Sequence, residues 1–210
     1  MKAKSLILAG AVAIASTLSA SAQTVFSVNA VGFVNQTFNP GFSLVSNPLV
    51  ATDNSVESLF ASVPNGTQIY KFDAATAQFT PASKGLLGWI NGTLTVVPGE
   101  AIFVFNPDAS PFTITFVGNV NQGSLTNSLV AGFNMVSSQV PQAGLIETDL
   151  GAPIANGETI YKWNGTTYDP SSFGLLGWLP SEPTINVGEG FWINKVAAAD
   201  WTRNFDVNNP

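Results

Sequence analysis

The chain has 210 residues, of which 7 are basic and 13 acidic, so its formal net charge is −6. An acidic surface of this kind repels phosphate backbones, which argues against nucleic acid as a partner. The sequence contains neither His nor Cys, which excludes most zinc, copper and haem sites, cysteine nucleophiles and every Ser-His-Asp triad. We therefore expect a non-enzymatic protein without a metal or cofactor.

The first 22 residues have the features of a signal peptide. Lys2 and Lys4 precede the apolar run "SLILAGAVAIASTLSA", and "ASA" at 20–22 fits the small-x-small pattern that signal peptidase cleaves. The run is short for a membrane-spanning helix. We expect cleavage before Gln23 and export to the periplasm, the cell surface or the extracellular space, with no membrane insertion afterwards.

The remaining sequence repeats itself in order. The stretch "PGFSLVSNPL" recurs as "AGFNMVSSQV" 91 positions later, and "VVPGEAIFVF" recurs as "INVGEGFWIN" 89 positions later. The pentapeptide "GLLGW" occurs unchanged at 85–89 and 174–178. This pattern predicts a tandem duplication of a unit of about 90 residues, with the first unit at 23–122 and the second at 123–210.

Each unit reads as mostly β. In chain order, "FSLVS" alternates apolar and polar residues, and "QIYKF" and "TIYKW" follow Asn-Gly turns. The stretch "TLTVVPGEAIFVF" predicts two strands around a Pro-Gly-Glu corner, and "FTITFVG" predicts another strand. We expect an all-β protein in which each unit is a β-sandwich or a partly open barrel.

Two segments depart from a simple strand pattern. "DNSVESLFASV" at 53–63 has apolar residues at helical spacing after cap candidates and predicts a short helix, and its counterpart "QAGLIETDLG" at 142–151 predicts a second one. The strand at 25–35 corresponds to residues 116–126, so it is either shared or exchanged between the units. Since no Pro/Ser-rich linker separates the units, we expect them to be in close contact.

Four recurring aromatic residues are the candidate ligand-binding residues. Trp89 and Trp178 end the two "GLLGW" loops, and Tyr70 and Tyr161 lie in the "IYK" strands. They either pack in the core and anchor loops, or stack on sugar rings; we favour loop anchoring, which makes "GLLGW" a scaffold motif.

Carboxylates are sparse and give no catalytic pair. Glu100 and Glu189 are equivalent positions in the two units, so each unit has one, and we expect each to accept backbone N–H bonds within its loop. Asp residues near turns leave calcium binding open, although no stretch matches an EF-hand or a nonapeptide calcium repeat.

The motifs "GFSLVSNPL", "IYKW", "GLLGW" and "GEGFWI" resemble those of a group of secreted bacterial β-rich repeat proteins. Units of that group run from "GWN-L-ISNP" through "Y-W-G--Y" to "GEGFWI". The resemblance covers nearly all of the mature chain, although the first unit has "GEAIFV" in place of "GEGFWI". It implies an exported β-rich module, often attached to surface proteins, and it implies no activity.

Two functional classes follow from the sequence. The first is a structural or adhesive component of the cell surface or extracellular matrix, whose partners are itself or other surface proteins; the low content of charged residues and the edge-prone strands favour it. The second is a bivalent carbohydrate-binding module, in which the duplicated loop tryptophans bind polysaccharide.

Overall fold

The computed structural model describes residues 30–208, so the predicted signal peptide lies outside the described residues. The first half contains the short helix α1, Val56–Leu59, and seven strands: Val31–Phe38 (β1), Gly41–Val45 (β2), Gln68–Asp73 (β3), Gln78–Gly85 (β4), Gly88–Ile90 (β5), Ile102–Asn106 (β6) and Phe112–Asn119 (β7). The second half contains nine: Gly123–Leu129 (β8), Gly132–Val136 (β9), Gly144–Leu145 (β10), Thr159–Trp163 (β11), Tyr168–Gly174 (β12), Gly177–Leu179 (β13), Thr184–Ile185 (β14), Phe191–Lys195 (β15) and Ala199–Phe205 (β16).

The prediction of an all-β protein is confirmed, and every strand pair is antiparallel. One five-stranded sheet, the first sheet, has the order β2-β6-β3-β4-β5, and the second sheet has the order β9-β15-β11-β12-β13. Three two-stranded ribbons, β1-β7, β8-β16 and β10-β14, complete the fold. Within residues 30–208 no sheet closes into a barrel, so the sandwich alternative describes the architecture better.

Each five-stranded sheet is covered on one face by a ribbon. Ile69 and Val104 of the first sheet pack with Phe116 of the β1-β7 ribbon in one core, which also contains Val56 of α1. Ile160 and Ile193 of the second sheet pack with Trp201 of the β8-β16 ribbon in another. Ile102 and Val104 of β6, and Phe191 and Ile193 of β15, lie two positions apart and are buried in these cores, as the period of a pleated strand requires.

The part of the predicted strand at 25–35 that the structure describes lies in β1 and is not exchanged between the two halves, whereas residues 25–29 lie outside the described residues. β1 pairs along its whole length with β7, from Val31 opposite Asn119 to Phe38 opposite Phe112. β8 pairs with β16 at the other end of the chain. Each ribbon therefore joins the first and last strands of its own half.

The helix predictions differ in outcome. α1 forms inside the predicted segment 53–63, and the hydroxyl of Ser55 caps it by accepting from Ser58 N. The prediction of a helix at 142–151 is wrong: the segment forms β10 and then hydrogen-bonded turns. Glu182 accepts the backbone N–H groups of residues 147 and 148, and Asp149 accepts that of Leu145, so the carboxylates hold these donors in a turn.

One predicted strand is also absent. "TLTVV" makes only a single bridge, between Thr95 and Ser55, before the Pro-Gly-Glu corner. Residues 91–94 before it instead cover α1, because Val56 N donates to Leu94 O and Glu57 N donates to Gly92 O. The apolar residues of this stretch are used to pack against the helix and not to extend a sheet; Val96 is fully buried in the first core.

Candidate functional site

The two five-stranded sheets meet through the faces that the ribbons leave uncovered. Leu44, Ala101 and Met135 are buried together at this junction. Ser46 N donates to Gly188 O at 2.9 Å, and the equivalent pair in the other direction, Ser137 N to Gly99 O, is 3.0 Å apart. The Gly-Glu corner of each half thus reaches the end of a strand in the other half, and the halves are in direct contact.

Gly190 of the "GEGFWI" motif allows the closest approach at the junction. A Cβ atom added at this position would lie 2.7 Å from Ala101 Cβ and 3.1 Å from Val45 O. Both distances are shorter than ordinary van der Waals contacts, so the position requires glycine for packing. The motif therefore has a structural role where the halves touch.

Two aromatic clefts open beside the junction. The first cleft has a volume of about 470 Å³ and the second about 360 Å³. The first is lined by Phe42, Tyr70, Phe79, Phe103, Trp163 and Tyr168. The second is lined by Phe72, Phe133, Tyr161, Tyr168 and Trp192. Phe42, Tyr70 and Phe103 of the first cleft align in sequence with Phe133, Tyr161 and Trp192 of the second, so the two clefts have similar walls.

The indole N–H groups of the clefts are used inside the protein. Trp163 Nε1 donates to Phe42 O at 2.9 Å, which joins the second sheet to the first. Trp192 Nε1 donates to the Tyr168 hydroxyl at 3.2 Å. The Tyr70 hydroxyl donates to Gln68 Oε1. The cleft walls therefore offer mainly apolar ring surface, on which an apolar group or the apolar face of a ring can pack.

The structure separates the four predicted site residues into two groups. Tyr70 lines the first cleft and Tyr161 lines the second. Trp89 and Trp178 line neither cleft; each is partly buried and packs against the core of its own half. Trp178 Nε1 also donates to Glu147 Oε2 at 2.9 Å.

The "GLLGW" motif forms the turn of a hairpin in both halves. In the first, Gly85 pairs with Gly88, so that Leu86 and Leu87 make the whole loop between β4 and β5. Gly88 has a φ of 114°, a left-handed conformation that glycine adopts at little cost. Trp89, which follows the turn, packs against the core of the first half. The second motif repeats this arrangement between β12 and β13.

Four leucines at these turns are almost fully exposed. We call Leu86–Leu87 the first tip and Leu175–Leu176 the second tip; the exposed fractions are 88 and 106% in the first and 92 and 103% in the second. Turn positions are usually occupied by Gly, Asn, Asp, Ser or Pro. Since the backbone does not require leucine there, the paired leucines need an explanation outside the fold.

Sequence reasoning missed both the tips and most of the cleft residues. The signal for the tips was present, because two leucines between glycines in a predicted turn cannot reach the core. For the clefts, the signal was the aromatic residue at every second position of "IYKF" and "IYKW", opposite to the face on which isoleucine is buried. A strand that is apolar on both faces indicates a second packed layer.

Lys71 and Lys162, which follow Tyr70 and Tyr161 in the sequence, are each held in an ion pair. Lys71 forms an ion pair with Glu100 at 2.7 Å, and Lys162 forms the equivalent pair with Glu189 at 3.0 Å. As expected, Glu100 also accepts a backbone N–H bond in its loop, from Val97 at 2.9 Å.

Asp73 ends β3, directly after a residue of the second cleft. The Thr76 hydroxyl and the Ala75 N–H donate to its carboxylate. These bonds hold the pKa of Asp73 below its ordinary value, the contribution of Thr76 being the larger. The carboxylate is therefore charged at neutral pH.

Two further observations concern residues 30–208. In this range no group of three or more carboxylates is arranged to hold a metal ion. The helix in the same range is not long and apolar enough to cross a bilayer.

Comparison of the chain with protein-family models, curated proteins and solved structures finds no match.

Proposed function

We propose that the protein is a secreted, non-enzymatic structural or adhesive component of the cell surface or extracellular matrix, whose partners are itself or other surface proteins. The observation that carries the proposal is the exposure of two leucines at each of two equivalent hairpin tips. An exposed apolar group that the fold does not require is typical of a contact surface.

The free energy gained by burying the exposed leucines supports an adhesive role. Burying one leucine side chain contributes about 1.5–3 kcal/mol, so one tip contributes about 3–6 kcal/mol when both side chains are covered. Association of two proteins costs about 4–15 kcal/mol in lost translational and rotational freedom. One tip alone therefore gives weak contact, and stable adhesion needs several contacts at once.

Duplication of the chain would supply such multiple contacts. The two five-stranded sheets have the same strand order, and the tips and clefts occur at equivalent positions in both. These observations support a tandem duplication with units at 23–122 and 123–210. The signal peptide predicted at 1–22 and the resemblance to secreted repeat proteins support export.

The test measures whether the purified protein associates with itself or with cell envelopes. Light scattering over a concentration series, with and without calcium, reports self-association, and co-sedimentation with envelopes reports adhesion. We expect the fourfold variant Leu86→Ser, Leu87→Ser, Leu175→Ser, Leu176→Ser to lose self-association and co-sedimentation. It should still fold, because the four leucine side chains contact little of the rest of the protein.

Phe33→Ser is the matched control. Phe33 is 72% exposed on β1, in the ribbon and not in either tip, so the variant removes exposed apolar surface elsewhere. It should retain association. A wild-type protein that stays monomeric and does not sediment with envelopes would contradict the proposal.

A bivalent carbohydrate-binding function is the second candidate. The presence of Tyr70 in the first cleft and Tyr161 in the second favours it, since rings in two equivalent clefts could stack on sugars. The test measures polysaccharide binding by two double variants. If Tyr70→Ala with Tyr161→Ala abolishes binding, and Trp89→Phe with Trp178→Phe does not, the result would support this candidate with the clefts as its binding sites.

A further inference from the structure

We infer that Asn164 deamidates without an enzyme, through attack of the Gly165 backbone nitrogen on its side chain, and that folding makes it the fastest Asn-Gly site of the protein. The sequence contains four such pairs, which begin at Asn65, Asn91, Asn156 and Asn164. Asn164 and Gly165 lie in the connection between β11 and β12. The inference is independent of the proposed adhesive function, because it concerns a chemical change in the chain itself.

The reaction requires only these two residues and water. The Gly165 nitrogen forms a bond to Asn164 Cγ, the Cγ–Nδ2 bond breaks, and Nδ2 leaves as ammonia with the proton that Gly165 N loses. Water then opens the resulting succinimide ring at either of its carbonyls. One product is aspartate; in the other, isoaspartate, the main chain runs through the former side-chain carboxyl. No electron donor or acceptor is needed.

The attacking nitrogen is hydrogen-bonded at two of the four sites. Gly66 N donates to Lys84 O at 2.7 Å, and the equivalent bond in the second half, from Gly157 N to Phe173 O, is 2.8 Å long. Each bond must break before the nitrogen can attack the asparagine that precedes it. We therefore expect slow conversion at both sites.

The glycine nitrogen beside Asn164 is not restrained in this way. Within residues 30–208 no acceptor is bonded to the N–H of Gly165. Gly165 is also exposed, and a Cβ atom added there would have no neighbour within 4 Å. The succinimide ring therefore has the space that it needs.

Asn91 lacks this space. Gly92, which follows it, is buried. A Cβ atom added at Gly92 would lie 2.7 Å from both Glu57 Oε2 and Trp89 Cβ. Because the surroundings of this peptide are already closely packed, we expect the ring to form slowly here as well.

Two backbone donors are directed at the Asn164 oxygen on which negative charge develops. Asn164 Oδ1 accepts from Thr166 N at 3.0 Å and from Thr167 N at 2.9 Å. When Gly165 N attacks Cγ, this oxygen becomes an oxyanion in the tetrahedral intermediate. Donors fixed at this distance stabilise such an intermediate more than the starting amide. The turn therefore favours the reaction as well as permitting it.

The aspartyl product is compatible with the fold. Asp73 occupies the equivalent position in the first half, where its carboxylate accepts the Ala75 N–H at 2.9 Å. An aspartate at position 164 can accept the Thr166 N–H in the same way. It would also lose a bond, because Asn164 Nδ2 donates to Asp169 Oδ1 at 3.1 Å, and two carboxylates in these places repel each other.

The isoaspartyl product changes the hairpin more. It lengthens the main chain by one atom between Trp163 and Tyr168, which pair at the ends of β11 and β12. Both rings line the first cleft, and Trp163 Nε1 donates to Phe42 O of the first sheet. Conversion therefore alters a cleft wall and a contact between the halves as the protein ages.

The experiment follows all four sites in the whole protein, folded and in urea, at mildly alkaline pH. Peptide mapping by mass spectrometry measures the loss of each asparagine over time, and enzymatic methylation measures isoaspartate. In urea we expect similar rates, because all four are Asn-Gly pairs. In the folded protein Asn164 should convert at least roughly tenfold faster than any other site, and no slower than in urea. An Asn164 that converts no faster than the other three, or slower than in urea, would overturn the inference.

Two matched variants identify the source of the ammonia that the folded protein releases. Asn164→Gln retains an amide, but its attack would close a larger and more slowly formed ring, so the variant should lose most of the release. Asn156→Gln alters an exposed residue of another Asn-Gly pair and should leave the release unchanged. Circular dichroism checks that both variants fold. Equal release from the two variants would contradict the assignment to Asn164.

Discussion

The buried ion pair between Lys195 and Glu158 provides the sharpest test of the packing in the second half. The side chains are 2% and 1% exposed, and Lys195 Nζ lies 2.6 Å from Glu158 Oε2. Glu158 also accepts the backbone N–H groups of Ala155 and Val196, at 2.9 and 3.2 Å. Lys195 donates to Pro153 O as well. The pair therefore joins the end of β15 to the loop before β11.

The informative perturbation is Glu158→Gln, which removes the charge and leaves one acceptor oxygen in place of two, so that one of the two backbone donors, Ala155 N or Val196 N, also loses its acceptor. Lys195 is left as an uncompensated buried charge, and breaking such a pair costs about 3–5 kcal/mol of unfolding free energy. Since 1 kcal/mol shifts Tm by about 2–4 °C in a protein of this size, the expected loss is about 6–20 °C. Thermal and urea unfolding followed by circular dichroism measure it.

A double-mutant cycle tests whether the two side chains interact directly. Lys195→Met should also destabilise, and the double variant Glu158→Gln, Lys195→Met should cost less than the sum of the single changes, because no isolated charge remains. A loss below about 1 kcal/mol for Glu158→Gln, or strict additivity, would refute the assignment of a buried pair.

Three further predictions follow from single contacts. Gly190→Ala should cost about 1–3 kcal/mol because its Cβ overlaps Ala101, whereas Gly174→Ala, whose Cβ would meet nothing closer than 3.9 Å, should cost much less; equal losses in urea unfolding would contradict the close approach. Trp178→Phe should lose the bond to Glu147 and about 1 kcal/mol, measured by thermal unfolding, and no change would mean that the bond contributes nothing. Ser55→Ala should cost about 1 kcal/mol through loss of the α1 cap, whereas Ser55→Thr should largely retain it; equal stability of the two variants would show that the cap is unimportant.

Strands with local signals could be predicted, and features that depend on distant partners could not. β3 and β11 follow Asn-Gly turns and contain β-branched and aromatic residues, so their identity was readable from nearby residues. The segment at 142–151 has helical spacing, but its residues Gly144 and Leu145 pair with β14, more than 30 residues away, and Glu182 binds the N–H groups of the turn that follows. Periodicity contains no information about such distant partners.

The residues of the candidate site were likewise predictable from the sequence only in part. Tyr70 and Tyr161 were identified by recurrence, yet their placement in clefts depends on the packing of one sheet against the other. Recurrence also pointed to Trp89 and Trp178, because a residue that anchors a hairpin recurs as regularly as one that contacts a ligand. Distinguishing these roles requires the exposure of each ring, which is a property of the folded chain.

The reciprocal bonds at the junction have a consequence for how the chain holds together. Ser46 N donates to Gly188 O, and Ser137 N donates to Gly99 O, so each half donates one of these hydrogen bonds and accepts the other. Such reciprocity is the geometry of a two-fold symmetric dimer, here contained in one polypeptide. The covalent connection between the halves therefore acts chiefly as a tether that raises their effective concentration. A chain cleaved between β7 and β8 would remain associated as a noncovalent pair.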